Sequence, residues 1–270
     1  MNKKIIDDIV WYVPFKKLRN ALREYLFNVS NNIENICSSN NLALQNINDK
    51  KNCTYYKSNK NYFYRLHFGP GEGFIKPDPS WINIDVDSNR GDVVINFNEI
   101  QELPFEDGSV ECIYASHVFE HMSIYAAPKV FKECYRVLKE GGVLRIIIPD
   151  IKKAMKKYLE NDYSYKAFTD NKMYGKALFG YTEYTIFEAF KAELISPTGQ
   201  AHLLGSSGLA HQNAWDFETL KMDLKRVGFD PNNVIESGFQ QSKHNCFNFE
   251  GSYYSGASMT DRSIYLEVMK

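Results

Sequence analysis

The sequence predicts an α/β fold built on a parallel sheet with flanking helices, and three observations carry that reading. Short β-prone segments follow one another at 63–68, 81–85, 92–96 and 110–116. A well-signalled helix at about 126–139 then crosses to Val143–Ile148, a run apolar but for Arg145 that reads as a strand buried on both faces. The first of these segments ends in a glycine-rich loop, Gly69-Pro70-Gly71-Glu72-Gly73.

The elements follow in order. Residues 3–29 read as an amphipathic helix: Ile5, Ile6, Ile9, Val10 and Val13 make a stripe, Pro14 kinks it, and Leu18, Leu22, Leu26 and Val29 continue it. With the polar, Asn-rich stretch after it, this helix forms an N-terminal extension over 1–61. Residues 62–150 hold the predicted strands and the ligand-binding core. In the helix at 126–139, Pro128 suits the first turn. Val130, Phe131, Cys134, Tyr135 and Leu138 form its apolar face, and Gly141-Gly142 end it. Residues 151–214 show no clean period and are dense in Tyr, Phe, Lys and Gly, as expected of an insertion that forms a lid and an acceptor pocket over the carboxyl edge of the sheet. Asp216 is the expected N-cap of a further helix with Leu220, Leu224 and Val227 inward and Gly228 at its end. Val234–Phe239 and Ser263–Val268 complete the core, which resumes over 215–270.

Bulk properties narrow the function classes. A chain of 270 residues, 44% hydrophobic, can build one sizeable α/β domain with an insertion or two small domains. Its 32 basic and 33 acidic residues leave no global field that favours nucleic acid, so no nucleic-acid partner is expected. The absence of a membrane-length apolar run and of a signal peptide points to the cytoplasm. Trp11, Tyr12 and Phe15 among Lys16, Lys17, Arg19 and Arg23 suit a helix resting on the inner face of a membrane or docking a partner; packing on the sheet edge is the plainer reading. The five cysteines form no CxxC pair, and neither disulfides nor a structural zinc are expected.

In open parallel sheets, ligands bind beyond the carboxyl ends of the strands. The first end is the glycine loop, where backbone can approach a ligand with no Cβ between. The second is Asp85, an acid able to accept two ribose hydroxyls; a turn-capping carboxylate is the plain alternative. The third is Asn96-Phe97, an amide and a ring suited to an adenine, although Phe97 also suits the core. The fourth is Ser116-His117, followed by Glu120-His121. Only seven residues, Phe74–Ser80, separate Gly73 from Trp81, and Pro77 and Pro79 are among them. No room remains for the helix whose N-terminus would hold a pyrophosphate, so the loop suits a ligand without phosphates.

Several runs together resemble class I S-adenosylmethionine-dependent methyltransferases. They are Leu66-His67-Phe68-Gly69-Pro70-Gly71, Trp81-Ile82-Asn83-Ile84-Asp85, Leu103-Pro104-Phe105-Glu106-Asp107-Gly108-Ser109-Val110, Tyr114-Ala115-Ser116-His117-Val118-Phe119-Glu120-His121 and Arg136–Asp150. The ending Asp261–Val268 resembles the family's last strand. The resemblance covers about 63–150 and 211–270. It implies a Rossmann-like sheet of seven strands with only the last antiparallel, and S-adenosylmethionine as cofactor with S-adenosylhomocysteine as product. It places Gly69 and Gly71 at the methionine part with His67 beside them, Asp85 at the ribose, Asn96 and Phe97 at the adenine, and Ser116 and His117 on the floor. Pro70 stands where the family often has a small residue or cysteine, and Asn96 where many members have aspartate.

For transfer to a hydroxyl, the candidate bases are His121, His117 and His211, in that order, because imidazole titrates near working pH. Asp150, His211 and Tyr181 are the expected acceptor-binding residues, with helix capping the plain alternative for Asp150. His202 ranks below His211. His117, Glu120 and His121 raise the question of a metal, but no third ligand is evident at suitable spacing, and none is expected. The acceptor is expected to be a small anionic or carbohydrate molecule. Ile9–Asn20 resembles short segments at the starts of bacterial glycosyltransferases that build surface polysaccharides. That likeness suggests O-methylation of a sugar or phosphate-type group, a phosphoramidate among the cases. RNA or protein methylation and a non-catalytic cofactor-binding scaffold stay open as alternatives.

Overall fold

The computed structural model describes Tyr56 and residues 62–71, 73–100, 102–180, 182–196, 210–253 and 255–270. The expected N-terminal helix, Glu72, Tyr181 and His202 lie outside these residues. Seven strands, β1 (Tyr64–Phe68), β2 (Trp81–Asp85), β3 (Val93–Val94), β4 (Val110–Ser116), β5 (Leu138–Pro149), β6 (Val234–Glu236) and β7 (Ser263–Met269), form one sheet. Their order is β3-β2-β1-β4-β5-β7-β6. Every pairing is parallel except those of β7 with β5 and with β6, as the resemblance implied.

Strand alternation divides the core. Leu66, Phe68, Ile113 and Ala115 face one side, where α1 (Ala127–Val137) and α5 (Phe217–Val227) pack through Phe131, Cys134, Leu220 and Leu224. Cys112, Tyr114, Ile147 and Tyr265 face the other, against Phe247, Phe249 and Ala257 of the segment between β6 and β7. Asp216 caps α5 by accepting from Thr219 N at 2.9 Å, and Gly228 at φ +121° ends it, both as the sequence predicted.

Two differences from the sequence reading have clear causes. The helix α1 stops at Val137, and β5 starts at Leu138. Leu138 pairs with Val110 and Val143 with Cys112, so Lys139–Gly142 bulge out opposite Glu111. A Cβ on Gly142 would sit 2.8 Å from Lys139 O, so the glycine pair shapes a bulge in the strand and does not end the helix. Arg145, inside the apolar run, is fully buried. Its guanidinium donates to Glu250, Glu267, Ser237 Oγ and Gly238 O, and Tyr114 Oη donates to Glu250. The cation is tolerated because every donor direction finds an acceptor.

The aperiodic stretch is also more regular than expected. It holds α2 (Ile151–Leu159), α3 (Lys166–Phe179) and α4 (Ile186–Ile195), with their own small core of Ala154, Tyr165, Phe168, Ala189 and Phe190. Apolar residues surround α4 (Ile186, Phe187, Ala189, Phe190, Ala192, Leu194), which hides any stripe, although Thr185 and Glu188 form a complete capping box. Among the described residues, no helix is long and apolar enough to cross a membrane.

Candidate functional site

A cavity of about 340 Å³ opens at the carboxyl ends of β1 to β4. Gly69 and Gly71 form its rim at φ +56° and +68°, conformations that glycine adopts at no steric cost. Gly69 N donates to Ile84 O at 2.9 Å, and a Cβ there would lie 2.6 Å from Val118 Cγ2. The side chain of Asp85, 8% exposed, forms part of the wall. Its Oδ1 accepts from Asp87 N at 2.9 Å. Gly91 lets the following turn press close, since a Cβ on it would stand 2.9 Å from Asp85 N.

Asn96 and Phe97 line the same cavity. Asn96 Nδ2 donates to Glu99 at 2.9 Å and its Oδ1 accepts from Asn98 N at 3.1 Å, so the amide also holds its own turn. Phe97 packs on Phe68 with centroids 4.8 Å apart, serving core and cavity together. Ser116 is on the floor, and its Oγ is buried with no hydrogen-bond partner among the described residues. His117 holds φ +54°, uncommon for a residue with a Cβ. Its Nε2 lies 3.0 Å from Ser263 Oγ, and Gly256 packs so close that a Cβ there would meet the ring at 2.3 Å.

His67 does not line the cavity, in contrast to the expectation. Alternation along β1 turns it to the opposite face from Leu66 and Phe68. There it is 1% exposed among Phe74 at 4.2 Å, Tyr114 at 5.0 Å and Phe249 at 5.8 Å. Burial among rings pushes the imidazole down to about 3, so it is neutral. Its Nε2 is 3.4 Å from the hydroxyl of Tyr253, which does line the cavity. Asp150 likewise is not on the cavity wall. Its Oδ1 accepts from Lys153 N at 2.9 Å as the N-cap of α2, so capping is the role the geometry shows.

The three candidate histidines surround Glu120, which is 2% exposed on the 3-10 turn Phe119–His121. His117 Nδ1 is 3.0 Å from Glu120 Oε1, off the line of a good hydrogen bond, and neither carboxylate oxygen has a hydrogen-bond partner among the described residues. His121 lines the cavity, and its ring centroid is 5.1 Å from that of His211. His211 faces an adjoining hollow with Glu120, Asn213 and Trp215. Burial opposes ionisation of Glu120, but the imidazoles of His117, His121 and His211 together hold its carboxyl below the ordinary range. Burial likewise lowers the pKa of His211. Sequence reasoning missed Asn98, Tyr253, Ser255 and Gly256 on the cavity wall. The last three belong to the long segment before β7, which carries no periodic signal to place it.

Residues 75–146 match a family described as "Methyltransferase domain". That stretch holds Asp85, Asn96, Ser116, Glu120 and His121. Comparison with curated proteins returned no match. Among solved structures, the chain is similar to a SAM-dependent methyltransferase from Archaeoglobus fulgidus, at 13% identity over 78% of this chain and 87% of that one, with a TM-score of 0.40. It is similar to a second from Mesorhizobium loti at 12% identity, 77% and 91% coverage and 0.41. A third is phosphoethanolamine N-methyltransferase 2 of Haemonchus contortus, at 13%, 84% and 52% coverage and 0.41. Likeness at this level carries no conclusion about substrate.

Proposed function

We infer that this chain is a class I S-adenosylmethionine-dependent methyltransferase that methylates an oxygen of a small sugar or phosphate-type acceptor. One observation carries the cofactor part. Gly69 and Gly71, Asp85, Asn96 with Phe97, and Ser116 come from four successive strand ends and open onto a single cavity. That series suits a nucleoside with an amino-acid tail. The carboxylate of Asp85 offers acceptors to ribose hydroxyls, and the orphan Ser116 Oγ offers a hydrogen-bonding atom at the floor. No helix forms between Gly73 and Trp81, so no helix N-terminus follows the loop to hold a pyrophosphate.

The bound cofactor supplies an electrophilic methyl group on a sulfonium. The chain's residues align an acceptor oxygen with it and exclude water, which is the larger part of such catalysis. His117 and His121 are both on the cavity wall, but both ring nitrogens of His117 already face partners, Ser263 Oγ and Glu120, so His121 is the better base. Its Nδ1 donates to Ala210 O at 3.2 Å, which leaves a lone pair on Nε2 for activating a hydroxyl. An acceptor already ionised, such as a phosphate-type oxygen, needs no base.

The acceptor class rests on the likeness of Ile9–Asn20 to glycosyltransferases of surface-polysaccharide synthesis and on the balanced charge, which gives RNA no basic stripe. The acceptor is a small anionic or carbohydrate intermediate, a phosphoramidate among the candidates, met in the cytoplasm with the N-terminal segment at the membrane face or on a partner. Calorimetry with S-adenosylmethionine tests the first step, and absence of binding sinks the assignment. A screen of nucleotide sugars and their precursors, read by release of S-adenosylhomocysteine, tests the second. Binding without turnover on any of them, with turnover on RNA or protein or on nothing, overturns the acceptor class.

A further inference from the structure

At His121 the cavity adjoins a group of side chains that alignment of acceptor and methyl does not use. Glu120, His121 and His211 each bring one donor atom to within 4.8 Å of the other two. The backbone builds this meeting: Gln212 N and Asn213 N both donate to Glu120 O, at 2.8 and 3.2 Å, and so dock His211 beside the turn that carries the other two. His117, Glu120 and His121 lacked a third ligand at metal spacing in the sequence; the fold supplies one from outside that run.

Each histidine is oriented by a main-chain carbonyl. His121 Nδ1 lies 3.2 Å from Ala210 O, and His211 Nδ1 lies 2.9 Å from Glu193 O. A carbonyl oxygen only accepts, so both rings carry their proton on Nδ1 and a lone pair on Nε2. This outer arrangement is the one that fixes histidines as metal ligands. Glu193 is itself held by Arg262, at 2.9 and 2.6 Å. The Glu120 carboxylate is buried, and apart from His117 Nδ1, 3.0 Å from Oε1 and off the line of a good hydrogen bond, neither oxygen meets a donor among the described residues, a state that suits a cation.

We propose that Glu120, His121 and His211 form a two-histidine, one-carboxylate site for a divalent transition-metal ion, at the wall between the cofactor cavity and the hollow beside Trp215. Imidazole and carboxylate donors suit zinc and its first-row neighbours, and three protein ligands leave a position open for an acceptor oxygen. This second role rests on the methyltransferase reading. With the ion in place the Nε2 lone pair of His121 serves as a ligand instead of as the base, and a hydroxyl coordinated there releases its proton to water more readily. Its oxygen pair then forms the bond to the methyl carbon while the carbon–sulfur bond breaks toward sulfur, leaving a neutral thioether.

The test uses the full chain, stripped with chelator and titrated calorimetrically with zinc at neutral pH, with metal content read by elemental analysis after gel filtration. One zinc per chain is expected. Glu120→Gln and His211→Gln should each lower zinc affinity by more than the ~100-fold that loss of an outer partner costs, while His244→Asn, remote from the site, leaves it unchanged. Circular dichroism and S-adenosylmethionine binding by the same variants establish that they are folded. No stoichiometric zinc, or zinc binding equal in wild type and in folded Glu120→Gln and His211→Gln, overturns the site. Zinc failure with cofactor binding intact removes the metal alone; cofactor failure with zinc bound removes the methyltransferase reading alone.

Discussion

Replacing Gly69 by alanine tests the architecture of the cavity rim, because two separable penalties meet there. The backbone sits at φ +56°, and an L side chain in that region costs about 1–2 kcal/mol. The new Cβ would also stand 2.6 Å from Val118 Cγ2, and relieving such overpacking costs about 1–3 kcal/mol. Gly69→Ala should therefore destabilise by about 2–5 kcal/mol, summing the two. Gly71 is the internal control. Its φ of +68° carries the same backbone penalty, but among the described residues no atom beyond its chain neighbours lies within 4 Å of the added Cβ, so Gly71→Ala should cost only about 1–2 kcal/mol. The steric part is isolated by Val118→Ala: in a double-mutant cycle, Gly69→Ala and Val118→Ala should couple favourably by about 1–3 kcal/mol. Urea unfolding measures stability, and calorimetry measures the affinity for S-adenosylmethionine. That affinity should fall at least about tenfold in Gly69→Ala and recover partly in the double variant. Equal costs for the two glycine variants, or no coupling with Val118, would refute the contact geometry at the rim.

Three further outcomes are expected. Asp85→Ala should weaken S-adenosylmethionine binding by roughly 10–100-fold, the loss of a hydrogen bond to a charged group, and unchanged binding would remove Asp85 from the ribose role. Glu250→Ala should destabilise by about 3–5 kcal/mol in urea, because it strands the buried Arg145 guanidinium and the Tyr114 hydroxyl; a loss below about 1 kcal/mol would show that water or Glu267 compensates. His67 is neutral when folded, with its pKa pushed from 6.5 to about 3 by burial, while the unfolded chain binds a proton below 6.5. Its contribution is therefore complete above pH 6.5 and is lost, at up to about 1.4 kcal/mol per pH unit, as pH falls toward 3. His67→Leu should flatten the acid limb of the stability profile, and an identical slope in both proteins would contradict the neutral, buried state.

The legible parts of this protein are those whose signals are local. Strand periodicity placed β2 and β4, and Asp216 with Gly228 bounded α5, because caps and alternation act over a few residues. The strand-end series from Gly69 through Asp85 and Asn96 to Ser116 was readable because a parallel sheet puts successive carboxyl ends at one edge. Residues such as Asp150 and His67 were harder. Each carries a chemically able side chain, and only its neighbours decide whether that side chain meets ligand, helix end or core. The helix α4 was missed because its apolar residues surround it, whereas α2 does carry a stripe at Ile151, Ala154, Met155 and Tyr158 that a reading of 151–214 as one aperiodic stretch passed over.

The sequence by itself determined the order of the strands, the parallel sheet and the glycine rim with its row of polar strand ends, since these follow from chirality, alternation and backbone freedom. Tertiary structure alone decided which side chains meet. It turned His67 away from the cavity by strand parity and set Arg145 between two buried glutamates. It carried His211 across the chain to Glu120 and His121 through two main-chain hydrogen bonds. Such meetings depend on packing between distant segments, which no local pattern of residues encodes.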